Sequence, residues 1–375
     1  MTTRAALAVV ASVALGACVG TARTRATVAT ASRDANADSS TFAALDSMVP
    51  ALLARHHVPG IAIAYIEDGA VAWTRVYGEQ APGVPATTAT LYNVASLTKP
   101  VFAEVMLQLV ADGRIALDEP MAAHWVDPDL AADPRHRLLT PRMALSHRIG
   151  FPNWRPRGGP LRLEHGPGSG YHYSGEGYSY LARFAERKLG AGIDELARRY
   201  VFAPFGMRNT AFTRQPWFEG RIALPADGRG AFGEAHYANP VNGADLLYAT
   251  VGDYAAFVVG AMRRTSLPVA VARQRDSIHS PDSSEQAKCR AKIAERCADR
   301  FGYGLGWSIM EYPGFTVRWH TGSDDGHKAM AFYFPERRRG VVLLTNGANG
   351  FMPMIEVAQL LSWGTPFAEF LRTGG

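Results

Sequence analysis

Cysteine is scarce in this chain, with three in 375 residues, and neither Cys289 nor Cys297 has a histidine at ligand spacing, so a zinc site built on them is not expected. No His-Glu-x-x-His helix is present to hold a catalytic zinc, and no Gly-x-Ser-x-Gly elbow to present a serine in the α/β-hydrolase manner. The glycines from Gly302 to Gly306 lack the spacing and the following helix of a dinucleotide loop. Charge is sparse as well: 19% of residues are charged and the formal net charge is +5, with both signs mixed along the chain, which argues against nucleic acid as a partner. The densest basic run, Arg337-Arg338-Arg339, lies between two apolar strand-like segments and reads as a solvated hairpin tip. There is no internal repeat and, after residue 38, no low-complexity segment. At 47% hydrophobic and 10% aromatic, the composition is that of a globular protein with a large core and more than one lobe.

The apolar run of residues 5–15 is too short to span a bilayer. With Arg4 before it, the run reads as an export signal, residues 1–18. Its end, Leu15-Gly16-Ala17-Cys18, resembles the lipobox of bacterial lipoproteins and makes Cys18 the expected lipidation site, ordinary cleavage near the small residues being the alternative. Residues 19–38, rich in Thr, Ala, Arg and Ser, suit a flexible tether from a membrane to a folded domain at 39–375. The chain is thus expected to be exported, in a periplasm or on a cell surface, and lipid-anchored. In an oxidising compartment Cys289 and Cys297 either form a disulfide or stay as two free thiols. They cannot bond within one straight helix, where eight residues put them about 12 Å apart.

Along the domain, Phe42, Leu45, Val49, Leu52 and Leu53 share one helical face, which places a long first helix from about Thr41. Residues 61–67 and 70–77 are β-rich runs joined by Asp68-Gly69, a hairpin signal. Strand-like runs return only at 304–311, 315–320, 328–334 and 340–345, followed by a helix at 354–363. Between them, residues 114–300 read as helices and irregular segments. The expected architecture is α+β: one antiparallel sheet completed by the two ends of the chain and flanked by their helices, with a mostly helical lobe inserted and a cleft between the lobes.

The chemistry-bearing stretch stands at that junction. Ser96 and Lys99 are three residues apart, so on a helix they share a face. Val101, Phe102, Val105, Met106, Leu109 and Val110 follow as an apolar stripe ending at Gly113, with Pro100 tolerable only near the first turn. Ser96 would lie near the positive end of that helix, where a developing oxyanion is favoured. Two further segments join it in chain order: residues 170–178, which contain Tyr173-Ser174-Gly175, and His320-Thr321-Gly322-Ser323 at the end of a strand, where a small residue lets a ligand approach the backbone.

In these motifs the chain resembles the serine β-lactamases and penicillin-binding proteins, in their class C β-lactamase and DD-peptidase-like branch. His57-Val58-Pro59-Gly60, residues 107–120, Leu145-Ser146-His147, Phe205-Gly206-Met207 and residues 302–307 also look like family segments. The resemblance implies a β-lactamase/transpeptidase-like fold with no cofactor and no metal. It makes Ser96 the acylated nucleophile, Lys99 its activating partner, and Tyr173 a general base or relay. Backbone N–H groups of Ser96 and Ser323 would form the oxyanion hole, and His320, Thr321, Gly322 and Gly175 would border the substrate. Two positions depart from the pattern. Gly175 stands where β-lactamases commonly carry Asn, and His320 where many carry Lys, so a switch near pH ~6.5 would replace a fixed charge. His-Thr-Gly resembles the variant of some secreted DD-carboxypeptidases and D-amino-acid peptidases. The expected activity is hydrolysis of a small amide, peptide or ester through an acyl-enzyme, of the DD-peptidase, D-aminopeptidase or esterase kind. A class C-type β-lactamase and a penicillin-binding or sensor module without turnover are the alternatives. His56, His57, His147 and the pair Asp324-Asp325 read as structural or as solvated turn.

Overall fold

The computed structural model describes residues 35–265 and 267–373, with side chains from residue 40 onward. The export segment, Cys18 and the tether up to residue 34 lie outside the described residues. The chain divides into two compact units after Ala43. As far as it is described, the first is the start of helix α1 (Ala35–His56), which begins inside the segment read as tether and six residues before the expected Thr41. Among the described residues no helix is long and apolar enough to cross a membrane.

The second unit is built on one antiparallel sheet. Its strands are β1 (Gly60–Glu67), β2 (Ala70–Ala81), β3 (Val84–Pro85), β4 (Ser280–Pro281), β5 (Arg300–Tyr303), β6 (Ser308–Tyr312), β7 (Phe315–Asp324), β8 (His327–Phe334) and β9 (Arg339–Thr345). They lie in the order β3-β2-β1-β9-β8-β7-β6-β5-β4. The strand near the start of the domain pairs with the strand near its end, from Ile61 opposite Thr345 to Ile66 opposite Gly340. Asp68 and Gly69 both take positive φ, 51° and 70°, as the expected tight hairpin turn needs.

β1 is buried on both faces, which explains its near-continuous apolar run. Ile61, Ile63 and Tyr65 point into one core with Leu45 and Val49 of α1 and with helices α5 (Phe351–Leu361) and α6 (Pro366–Arg372). Ala62, Ala64 and Ile66 point into the other, against α2 (Thr98–Ala111) and α4 (Val251–Arg263). The alanines keep that face shallow, so helices can pack close to the sheet. The site helix α2 is buried from Thr98 through Gln108 and Leu109 rather than along one stripe. Helix α3 (Gly175–Leu189) is more amphipathic, capped by the Ser174 side chain and stopped by left-handed Gly190.

Two expectations need correction, and two elements were not expected. The run 304–311 is not one strand: β5 ends at Tyr303 and β6 starts at Ser308, because the intervening Gly306 has φ +98° and a Cβ there would come within 2.4 Å of Ala103 of α2. The stretch 114–300 is not wholly a separate lobe, since α4 packs on β1, β2 and β9, and β4 lies at the sheet's edge. A three-stranded sheet of Tyr92–Asn93, Tyr248–Ala249 and Thr210–Ala211 is too short, at two residues per strand, to leave a pattern. Helix α6 was also not expected.

Cys289 and Cys297 form a disulfide with Cα atoms 5.7 Å apart. The bond is possible because the helix Ser283–Ile293 ends between them: Ala294 takes φ 49° and turns the chain back. Closing so short a loop stabilises by about 2–3 kcal/mol. A Cys289→Ser/Cys297→Ser variant is expected to lose roughly that much in urea titration. The same loss should appear when the native protein is titrated with reductant present, and an unchanged midpoint in both would contradict it.

Candidate active site

The chain enters the site through a strained turn. Ala95, immediately before Ser96, has φ +48°, a region that costs a non-glycine residue of order 1 kcal/mol and persists only where the surroundings impose it. Those surroundings are visible. The Ala95 N–H donates to Asn93 Oδ1 at 2.8 Å, and Asn93 Nδ2 donates to Asp324 Oδ2 at 2.8 Å. Thr98 Oγ1 donates to the Ala95 carbonyl at 2.6 Å, and Tyr254 Oη to the Leu97 carbonyl at 2.8 Å. β7 lies so close that a Cβ on Gly322 would fall 2.4 Å from the Val94 carbonyl and 3.1 Å from the Ser96 nitrogen. Gly322 is therefore kept small by the Ser96 turn, which brings the Ser96 and Ser323 segments side by side.

Ser96 sits on the short turn Ala95–Leu97 that leads into α2, half-buried, and Pro100 falls in the helix's first turn. Lys99 is fully buried; its Nζ donates to Ser96 Oγ at 2.9 Å and to the Ala244 carbonyl at 3.0 Å. Three aromatic rings surround the amine, the nearest being Tyr173 with its centroid 4.9 Å away, then Trp154 and Tyr178. A serine hydroxyl held against a dehydrated amine is an activated nucleophile in form. Ser96 opens into a cavity of about 390 Å³ whose wall includes Tyr173, Thr321 and Ser323. Three larger hollows, of about 530, 610 and 480 Å³, lie around His57, around Phe202 and around Arg155, and none of them holds a serine in contact with a buried amine.

His320 reaches the cavity wall but is 4% exposed. Its Nδ1 lies 2.7 Å from the Thr321 carbonyl and its Nε2 3.0 Å from the Tyr303 hydroxyl. Burial, reinforced by Lys99, pushes its pKa down to about 3. The expected switch near pH 6.5 does not fit this setting: His320 stays neutral, with both nitrogens engaged by protein. His147, read as structural, is buried behind the reactive groups. Its Nδ1 accepts from the Ser174 N–H at 3.0 Å, and its ring lies 4.3 Å from that of Tyr173 and 4.5 Å from that of Tyr303. Burial first, then Lys99 and His320, hold its pKa well below the ordinary value.

Gly175 also departs from expectation. It does not line the cavity, and a Cβ there would fall 2.7 Å from the Trp154 ring. Residues the sequence reading missed are Trp154, Asn153, Tyr303, the Ala244 carbonyl and Asp245. Burial pushes Asp245 up to about 7, with Asp324 adding to the shift and Lys99 opposing it. Only Tyr303 lay in a segment already singled out. The others sit on irregular loops, where a lone Asn, Trp or Asp carries no periodic signal.

These groups set a pH dependence of stability. His320 and His327, both about 3 in the folded protein, and His147 bind a proton far more readily when unfolded, near pH 6.5. Their stabilisation is complete above that value and is lost as pH falls from about 6.5. Asp245 works in the opposite sense, because its folded pKa is raised and the native state keeps a proton that the unfolded chain gives up. Three imidazoles against one carboxyl leave a net loss of stability as pH falls below about 6.5. Urea midpoints across that range are expected to fall steeply with acid, and a flat profile would contradict the buried neutral imidazoles.

The profile of the family described as Beta-lactamase matches residues 45–361. The chain is 26% identical over 329 residues to penicillin-binding protein 4 of Amycolatopsis lactamdurans, covering 79% of this chain and 83% of that protein. It is 29% identical over 209 residues to esterase EstB of Burkholderia gladioli, covering 47% of this chain and 53% of the esterase. In fold it is similar to the D-alanine carboxypeptidase AmpC of Burkholderia cenocepacia, with a TM-score of 0.72 at 18% identity over 87% of this chain and 99% of that one.

Proposed function

This chain belongs to the β-lactamase family of serine hydrolases, and from that premise we propose that Ser96 is acylated by a small amide, peptide or ester and then released by water. The observation that carries the reading is the 2.9 Å bond from buried Lys99 Nζ to Ser96 Oγ, the serine lining the cavity. In this mechanism Ser96 Oγ attacks the substrate carbonyl while Lys99 and Tyr173 take and relay its proton, which then passes to the leaving group. The N–H groups of Ser96 and Ser323, on segments packed side by side, receive the developing oxyanion; such a donor contributes on the order of 3 kcal/mol in other hydrolases. Water then enters where the leaving group was, and the same relay returns the proton to Ser96.

The wall favours a neutral or amine-bearing substrate over one with a free carboxylate. Asp282 and Glu285 line the cavity, its described lining has no Arg or Lys, and His320 is held neutral. Esters and amides of D-amino acids fit that balance better than a β-lactam carboxylate does. The test is to incubate the protein with a p-nitrophenyl ester, a D-alanyl amide and a chromogenic cephalosporin, following product and intact mass. Steady turnover with a transient mass adduct on Ser96 is expected for the first two. A single product equivalent per protein would mean acylation without turnover, and turnover unaffected by Ser96→Ala would sink the mechanism.

A further inference from the structure

Tyr173 stands on irregular chain just before α3, so neither helix nor sheet fixes it. Among the described residues its hydroxyl makes no hydrogen bond. The phenol is placed by its backbone and by ring contacts, with the Lys99 amine 4.9 Å and the His147 ring 4.3 Å from its centre. Both backbone N–H groups that flank Tyr173 end on that same histidine. The His172 N–H donates to the His147 carbonyl at 2.8 Å, and the Ser174 N–H donates to His147 Nδ1 at 3.0 Å. One residue thus grips the chain on either side of the phenol and packs its own ring against it.

His147 is itself held firmly. It is fully buried with φ +56°, two residues after the short helix Pro141–Leu145, and Ser280 Oγ of β4 donates to the carbonyl of the preceding Ser146 at 2.6 Å. Its grip needs an unprotonated Nδ1, since a backbone N–H only donates. Burial, reinforced by Lys99 and His320, keeps the ring neutral, which leaves its proton on Nε2. That Nε2 is sealed from solvent and has no partner among the described residues. A buried donor without an acceptor costs stability, so an apolar ring would fill the space better. What the imidazole adds is the acceptor at Nδ1.

We infer that His147 is a positioning residue for the reaction: it clamps the chain on both sides of Tyr173 and so sets where the phenol stands relative to Ser96 Oγ and Lys99 Nζ. Being buried, it acts through Tyr173 and does not meet substrate. This rests on the acylation of Ser96 and the Tyr173 relay set out above. A displacement of about 1 Å at a reacting group costs on the order of 10²-fold in rate.

The experiment is hydrolysis of p-nitrophenyl acetate by the full chain, read as kcat and KM from p-nitrophenol release and as adduct formation by intact mass, in His147→Asn, His147→Gln and His147→Phe. Asparagine accepts a positive φ and its Oδ1 stands where Nδ1 stood, whereas glutamine carries the same amide with its oxygen one bond further out. His147→Asn should stay within about fivefold of the native kcat, while His147→Gln and His147→Phe should lose roughly ten- to a hundredfold with KM changed by less than about twofold. In a Tyr173→Phe background, His147→Phe should cost less than about threefold more, because the group it positions is gone. Equal losses in His147→Asn and His147→Gln, no loss in any of the three, or a His147→Phe loss undiminished in the Tyr173→Phe background would overturn the clamp. Thermal midpoints accompany each variant, and where His147→Phe does not fold, the comparison of His147→Asn with His147→Gln decides. Hydrolysis that survives Ser96→Ala, or no adduct on the native protein, would instead remove the acylation reading and the clamp with it.

Discussion

Ser96→Ala is expected to abolish turnover by a factor on the order of 10⁴ or more while leaving the fold intact. The magnitude follows from what the substitution removes: the bond-forming atom itself, where the residual rate comes only from binding and the oxyanion donors. Stability should hardly change, because Ser96 is half-buried and its side chain is not among the contacts that impose the turn; those are made by Asn93, Thr98, Gly322 and Tyr254. Lys99→Met separates activation from nucleophile. It keeps the buried stem and loses only the amine that touches Ser96 Oγ and the Ala244 carbonyl. Its expected cost is 10²- to 10⁴-fold, the range of a proton-transfer partner. The mass adduct should vanish in Ser96→Ala and form slowly in Lys99→Met. Pre-steady-state kinetics and intact mass on the same samples check both, and an adduct of unchanged rate in either variant would contradict the assigned roles.

What the sequence showed and what it hid divide along physical lines. The strands β1, β2, β7, β8 and β9 carry long apolar or alternating runs and were legible, as was the closure of the sheet by the two ends of the domain. Ser96 and Lys99 were singled out as reactive types three residues apart, and Tyr173 by its place in the family's motif order; the structure sets the Lys99 amine 2.9 Å from Ser96 Oγ and 4.9 Å from the centre of the Tyr173 ring. Gly175 and Gly322 were seen as unusual, but a glycine announces that something lies close without saying what; here it is an indole ring and a turn. His320 was misread for a related reason. A histidine's pKa depends on burial and on partners remote in sequence, and Tyr303 comes from a different strand.

The site helix α2 is also held by a buried ion pair, between its Glu104 and Arg275, that no motif announces. Arg275→Met should destabilise the protein by about 3–5 kcal/mol, which a double Glu104→Leu/Arg275→Met variant should largely restore. Arg275 and Glu104 are 2% and 1% exposed at their side chains and meet at 3.0 Å, and Gln108 Nε2 donates to the other Glu104 oxygen at 3.1 Å. Removing the guanidinium leaves the carboxylate buried with one neutral donor, and an uncompensated buried charge is what makes single breaks costly. Removing both members exchanges a desolvated pair for apolar side chains of similar volume, which is often close to neutral. Recovery should not be complete. Arg275 also donates to the Ala261 carbonyl at 2.7 Å and to Asp276 at 3.0 Å. Asp276 keeps Arg318 at 3.3 Å and Arg264 at 3.4 Å, but the carbonyl loses its partner. Because Glu104 lies five residues beyond Lys99 on the same helix, the pair also fixes where α2 sits and hence where Ser96 faces the cavity. Denaturant titration of the single and double variants reads the energy, and kcat/KM of the double variant reads the position of the helix. A single-variant cost below about 1 kcal/mol would show the pair to be screened and the argument from its burial to be wrong.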